Sequence, residues 1–175
     1  MLELTKIMRS FILHWGEMGT RWGVNRTVAQ VHALLYLSPK PLDAEEIAKA
    51  LSVARSNVSN SLRELQGWGI VRVVHVMGER RDHFESVKDV WEMFLTILDE
   101  RKKRECDPTL AMLRSLSAEA KKGSADALVL ARVQDMLAFF ETMTHGYDHL
   151  RRLPQGVLVR LLKMGDKMSK VLGAA

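Results

Sequence analysis

Residues 43–86 read DAEEIAKALSVARSNVSNSLRELQGWGIVRVVHVMGERRDHFES, and the order of parts in this stretch decides the fold. Asp43 precedes Ala44, Glu45, Glu46 and Ile47, so its carboxylate can accept from the first free N–H groups of a helix while Glu46 closes a capping box. A helix is therefore predicted from residue 43. Ile47 and Leu51 fall on one face of it, and Ala44 and Ala48 leave room for a neighbouring helix. Ser52 and Val53 form a turn, and a second helix runs from Ala54 to Gly67 with Val58, Leu62 and Leu65 as its inward stripe. Ser56, Ser59, Asn60 and Arg63 then project together from the opposite face, with Arg55 and Asn57 near the helix start. Serine and asparagine are weak helix formers, so five of them within residues 56–61 trade propensity for something else. Their hydroxyl and amide groups, with the arginine forks, match base edges and phosphates, which makes groove contact the expected gain.

After Gly67, Trp68 and Gly69, the run IVRVVHVM alternates as a strand. Gly78 opens a turn, and His83 to Val87 return as the partner strand. Arg80 and Arg81 sit at the hairpin tip, within reach of a minor groove or its bordering phosphates. The plainer alternative pairs them with Glu79 and Asp82.

A bracing helix, a polar second helix and a basic hairpin in that order make a winged helix-turn-helix. From about Phe11 to Val87 the chain resembles the GbsR-type branch of the MarR-like bacterial transcriptional regulators. The resemblance rests on HWGEMG (14–19), AEEIAKALSVARSNVSNSLRELQGWGIV (44–71) and VMGERRDHFE (76–85). One departure is Ala54, which stands where such domains commonly place a Ser or Thr cap; that helix start is left to Ser52, water or a DNA phosphate. The resemblance implies a homodimeric repressor, sequence-specific for double-stranded DNA. It also implies a small effector bound where the dimerisation helices meet the winged domain, and an association with osmoprotectant genes.

Composition bounds the rest. The 175 residues are 47% hydrophobic, enough for one sizeable core or a small domain with an added helical region. The longest apolar runs fall well below the ~18 residues that span a bilayer. No secretory signal is apparent behind Met1, Glu3 and Lys6, and Cys106 is the single cysteine, so a cytoplasmic protein is expected. Arg101 to Arg104 lie close enough to activate that thiol, although a bystander beside a helix boundary is the simpler reading. The net charge is +5, and between Arg55 and Arg81 five arginines face two glutamates. Residues 43–86 as a whole are nearly neutral, so affinity for a polyanion must come from placement and from pairing two copies.

Helical spacing extends to both sides. Leu4, Ile7, Met8, Phe11, Ile12, Trp15, Met18 and Trp22 predict a helix over 3–22, and Asn25–Leu37 another with Val28, Val31, Leu34 and Leu35 inward, ended by Ser38, Pro39, Lys40 and Pro41. Beyond the hairpin, Val87, Val90, Trp91, Phe94, Ile97 and Leu98 mark a third, closing in the charged run DERKKRE. Cations there suit a helix end. Asp107 and Pro108 read as a cap and first-turn pair opening a short helix to about Leu116. After a break at Gly123, Ser124 leads a long segment to about Arg152 with Leu128, Val129, Val133, Met136, Leu137, Phe140, Met143 and Tyr147 apolar. Pro154 ends it, and Gln155 to Leu172 carries Leu158, Leu161, Leu162, Met168 and Leu172.

The expected fold class is mainly α with a small β-hairpin wing: an N-terminal packing helix over 1–24, a winged domain over 25–87 and a helical dimerisation and effector region over 88–175. The flanking apolar stripes are wider than the small domain covers, which predicts a dimer whose reading helices sit ~34 Å apart on a pseudo-palindromic site. Trp15, Trp22, Trp91, Phe94 and Tyr147 are candidates for an aromatic cage around a quaternary ammonium ligand, with ordinary packing as the competing explanation.

Other classes find less support. No Walker loop, G-x-S-x-G elbow, HExxH helix or dinucleotide fingerprint occurs, so no catalytic residue and no cofactor is assigned. His145 and His149 lie four apart but lack a cysteine or carboxylate partner, so no metal is assigned either. A winged helix used only for protein contact would favour apolar or acidic residues on the reading face, where this chain has Ser, Asn and Arg.

Overall fold

The computed structural model describes residues 3–120 and 126–164. Gly123, Ser124, Met168 and Leu172 lie outside the described residues, as does the Leu162 side chain. The fold is mostly helical with a small antiparallel sheet, and the chain divides into two compact units, 1–97 and 98–175.

In the first unit, α1 (Lys6–Arg21) begins at Thr5, whose hydroxyl accepts from Met8 N, and α2 (Arg26–Leu37) begins at Asn25, whose Oδ1 accepts from Thr27 N. The two helices pack closely because Gly16 and Gly19 carry no side chain. A Cβ on Gly19 would lie 2.5 Å from Ala29 Cβ, and one on Gly16 would lie 2.7 Å from Gln30 Cγ. The glycines of HWGEMG are thus a packing device.

Strand β1 (Leu42–Asp43) leads into α3 (Ala44–Leu51), and α4 (Arg55–Gly67) follows. Ser52 turns the chain between them with left-handed backbone, φ 55° and ψ 43°. Strands β2 (Val71–Val74) and β3 (His83–Ser86) pair antiparallel from Val71–Ser86 to Val74–His83, and β1 adds to the outer side of β3. The order β1-β3-β2 includes a strand that sequence reading missed. Two residues are too few for an alternating pattern to register. The expected strand through residue 77 also shortens, ending at Val74.

Val31, Leu34, Leu35, Leu42, Ile47, Val58, Leu65 and Ile70 form the fully enclosed core where α2, α3, α4 and the sheet meet. The first turns of α5 (Val90–Arg101) add Met93, while Val90 and Phe94 remain about half exposed.

The second unit corrects one expectation. Asp107 and Pro108 do not open a new helix after a break: Asp107 keeps helical backbone, φ −63° and ψ −42°, and a π turn over Lys102–Cys106 joins directly to α6 (Asp107–Ala120). Proline cannot donate to the carbonyl four residues back and its ring crowds that carbonyl; the wider turn accommodates both defects within a continuous helix. The basic run accordingly caps no helix end. Lys102 Nζ instead lies 2.9 Å from Asp107 and 3.7 Å from Asp148.

Helix α7 (Ala127–Arg151) starts at Asp126, whose Oδ1 accepts from Leu128 N. It packs on α6, where Leu110 and Leu113 are buried and Arg114 pairs with Glu141 at 3.0 Å. Helix α8 (Gln155–Lys163) buries Leu158. Tyr147 Oη donates to Asp99 at 2.5 Å, and Arg151 Nε donates to the other oxygen of Asp99 at 2.9 Å.

Candidate nucleic-acid interface

Helix α4 is fixed by its apolar side. Val58, Leu62 and Leu65 are at most 2% exposed, so the helix cannot rotate without opening the core. Arg55, Ser56, Asn57, Ser59, Asn60 and Arg63 consequently face outward, and all six are exposed. Asn60 Oδ1 accepts weakly from Arg63 Nη1 at 3.4 Å, a contact a competing base or phosphate can replace. Ser61 differs from the other four: it is buried and its hydroxyl donates to Asn57 O at 2.8 Å. One of the five weak helix formers thus has a structural use.

No side chain accepts from the first N–H groups of α4, and Ala54 is exposed there. Ser52 is occupied as the end of α3, its N–H donating to Lys49 O at 3.3 Å. The positive end of the α4 dipole therefore opens to solvent beside Arg55 and Ser56.

Helix α3 holds the capping box that its sequence encodes. Asp43 Oδ1 accepts from Glu45 N at 2.7 Å and Glu46 N at 2.8 Å, and Glu46 Oε2 accepts from Asp43 N at 3.0 Å. Burial pushes the Asp43 carboxyl up, but the N–H groups of Glu46 and Glu45 together with the Arg81 guanidinium outweigh it and hold the group below its usual value.

The wing treats its two arginines differently. Arg81 reaches back to α3, 3.2 Å from Asp43 and 2.8 Å from Glu45, rather than to Glu79 or Asp82. Arg80 is exposed and makes no ion pair among the described residues. Asp82 lies 3.9 Å from His75, and Arg72 and Glu85 pair across β2 and β3 at 2.7 Å. Met77 is fully exposed beside Gly78 at the tip, an apolar group that the sequence reading did not single out. Any solvent-facing methionine is invisible to periodicity within a loop. Asp43, Glu46 and His83 also approach one another as closely as metal ligands do, yet the capping box and Arg81 already occupy the two carboxylates.

Each of the five cage candidates has a neighbour within its own unit. Trp15 meets Trp22 edge-on at 6.2 Å and Trp91 meets Phe94 at 6.3 Å, while Tyr147 belongs to the second unit and donates to Asp99. His149 Nδ1 lies 2.9 Å from His145 O within α7, an intrahelical contact. No described helix is long and apolar enough to cross a membrane.

Residues 22–82 match the sequence profile of the MarR family. A Bacillus subtilis (strain 168) protein provisionally named the HTH-type transcriptional regulator YvaV is 25% identical over 109 residues, 62% of this chain and 62% of that protein. The match thus spans about three fifths of that relative's length. The HTH-type transcriptional repressor OpcR of the same organism is 21% identical over 136 residues, 75% of this chain and 74% of its own. A crystal structure of a transcriptional regulator superposes with a TM-score of 0.64 at 20% identity, covering 83% of this chain and 95% of that one, and supports the fold. Residues 26–86 thus carry α2, α3, α4 and the hairpin in the order of a winged helix-turn-helix, and most of that stretch lies within the match to the MarR family.

Proposed function

We propose that this chain is a transcription regulator of the GbsR-type MarR branch, a homodimeric repressor that reads a pseudo-palindromic operator and is tuned by a small ligand. The observation that carries the reading is the outer face of α4: six exposed polar or cationic side chains opposite a stripe no more than 2% exposed. Asn60 and Arg63 are assigned to base edges, Ser56, Asn57 and Ser59 to bases or backbone, and Arg55 to phosphate at the uncapped helix start. Arg80 is assigned to phosphate or minor groove, with Arg81 holding the wing against α3.

Homodimerisation is supported by α7. Its 25 residues include none that are buried, and Val129, Met136, Met143 and Leu150 repeat at intervals of seven along a face 46–58% exposed. Such a seam belongs against another helix. The region 88–175 is therefore assigned to dimerisation. A duplex selection from random sequence tests the whole reading. Enrichment of an inverted repeat with half-sites about ten base pairs apart is expected. Equal binding to all duplexes, or a stable monomer by light scattering at micromolar concentration, overturns it.

A further inference from the structure

The wing ends in an apolar corner that no described residue covers. Glu79 N donates to Val76 O at 3.1 Å and Gly78 takes φ +85°, so residues 76–79 form a tight turn whose third position needs the left-handed backbone that glycine supplies. Met77 takes the second position, at the corner. Its side chain is fully exposed; among the described large apolar residues Ile7 comes next at 82%. The turn explains Gly78 but makes no demand for methionine, since proline or a small polar residue fits a second position as well. Nor does charge account for the tip. Arg81 is withdrawn to Asp43 and Glu45, which leaves Arg80 against Glu79 and Asp82 in the loop. The most exposed group of the wing is thus apolar, on a loop with no excess of positive charge to draw it to phosphate.

We propose that Met77 is a minor-groove wedge: when the winged domain sits on its operator, this side chain enters between two base pairs flanking the α4 contacts, unstacks them and bends the duplex. The inference rests on the DNA-binding regulator reading and adds a contact of a kind that reading lacks. An unbranched thioether suits the role, because three rotatable bonds let it follow a narrow slot and its polarizable sulfur packs well against aromatic rings. Proteins that open a minor-groove step use apolar side chains of this class, and the resulting kinks run from about 20 to 90°. Arg80, exposed three residues on, supplies a cation for a bordering phosphate. The cost of unstacking depends on sequence. Pyrimidine–purine steps open most easily, so the wedge makes such a step part of the site at a position where no hydrogen bond reads a base. A wedge contact is also not ionic. It adds affinity without adding to the salt dependence, which phosphate contacts set.

The probe is the duplex enriched from random sequence, end-labelled for energy transfer and carrying 2-aminopurine at successive flanking positions. With the unaltered chain, the duplex should bend and 2-aminopurine fluorescence should rise at a single step in each half-site, where TA or CA is enriched over other steps. Met77→Ala should bind about tenfold more weakly, as the loss of one buried methionine side chain gives. It should also leave the duplex straighter, keep the slope of log affinity against log salt, and lose the preference at the flanking step. Met77→Leu should restore bend and affinity. Met77→Lys separates a wedge from a tip that merely neighbours phosphate: the added charge would tighten binding by such a tip, whereas a wedge should bind no better than Met77→Ala. Because Met77 is fully exposed, all three variants should keep the unfolding free energy of the unaltered chain. Unchanged affinity and bend for Met77→Ala, silent 2-aminopurine at every position, or tighter binding by Met77→Lys each overturns the proposal. The regulator reading is tested by the unaltered chain's preference for the enriched over a random duplex. That preference with an unbent duplex sinks the wedge alone, and its absence sinks both.

Discussion

Helices α4 and α7 carry similar apolar patterns and meet opposite fates. In α4, thirteen residues include four that are buried, and the partner of its stripe is supplied by the same chain. In α7, Val133, Leu137, Phe140 and Tyr147 are half buried, whereas Leu128, Val129, Met136 and Met143, which continue the same hydrophobic count, are exposed. A single stripe in sequence is thus two seams in space. The difference teaches that apolar periodicity identifies a helix and counts the surface it must bury, but does not say which chain does the burying.

The sharpest way to break the comparison is to treat both helices alike. Leu62→Ala removes a side chain 2% exposed from the core and is expected to cost ~2–5 kcal/mol of unfolding free energy by chemical denaturation. Met136→Ala, on a side chain 49% exposed, should cost far less within one chain. Its effect should appear instead as a lower dimer mass by light scattering and a weaker dependence of the melting temperature on protein concentration. Equal losses of intrinsic stability would mean that α7 is packed like α4.

Among the described residues one buried side-chain nitrogen, His32 Nε2, is left without a hydrogen-bond partner, and the effect of this group depends on pH. Burial, with the nearby Lys88 charge adding to it, lowers the His32 pKa from 6.5 to about 4. The folded imidazole therefore stays neutral where the unfolded one is protonated. Above pH 6.5 the group contributes nothing to the balance; as pH falls from 6.5 toward 4 the unfolded state gains protons and the fold loses up to roughly 3 kcal/mol. Denaturation curves between pH 7 and 4 should show this decline in the unaltered chain and a flatter profile for His32→Phe. An unchanged slope would place the acid sensitivity elsewhere.

Legibility follows the range of the interaction. The capping box of α3 spans four residues, and the α4 stripe repeats every turn, so both could be read directly from residues 43–67. The Asp107–Pro108 pair was equally local but misleading, because a proline signal marks a defect in a helix and not the way the chain absorbs it. Arg81 was harder. Its carboxylates lie at the start of α3, on the capping Asp43 and on Glu45, 38 and 36 positions earlier in the chain, while Glu79 and Asp82 stand beside it in sequence and share no ion pair with it. Strand order decided that pairing, since β1 ends at Asp43 against His83. The orphaned His32 was out of reach for the same reason: whether a buried nitrogen has a partner is a property of the packed molecule.

A smaller expected effect separates residues on the reading face itself. Asn60→Ala or Arg63→Ala should weaken binding to the selected operator by ~1–3 kcal/mol and relax the preference at particular bases, leaving random duplexes little affected. Fluorescence anisotropy with matched specific and random duplexes measures it. Since both side chains are exposed, unfolding free energy should stay within ~0.5 kcal/mol, which distinguishes this face from the Leu62 side of the same helix.

The smallest effects distinguish the two wing arginines. Arg80 is exposed and free of ion pairs among the described residues, so Arg80→Ala should leave stability unchanged and reduce the slope of log affinity against log salt by about one, the signature of one lost phosphate contact. Arg81 is 57% exposed and bridges Asp43 and Glu45, and solvent screening keeps such an exposed pair weak. Arg81→Ala should therefore cost little in stability and loosen the wing, lowering affinity without removing a phosphate contact. Its pH dependence supplies a second criterion. Asp43 titrates below its ordinary value, so its contribution is present above pH 3.8 and is lost as the pH falls further. The stability difference between Arg81→Ala and the unaltered chain should accordingly hold at neutral pH and shrink in acid below pH 3.8, where the carboxylate that Arg81 grips becomes protonated. A salt slope that changes for Arg81→Ala and not for Arg80→Ala would reverse the two assignments.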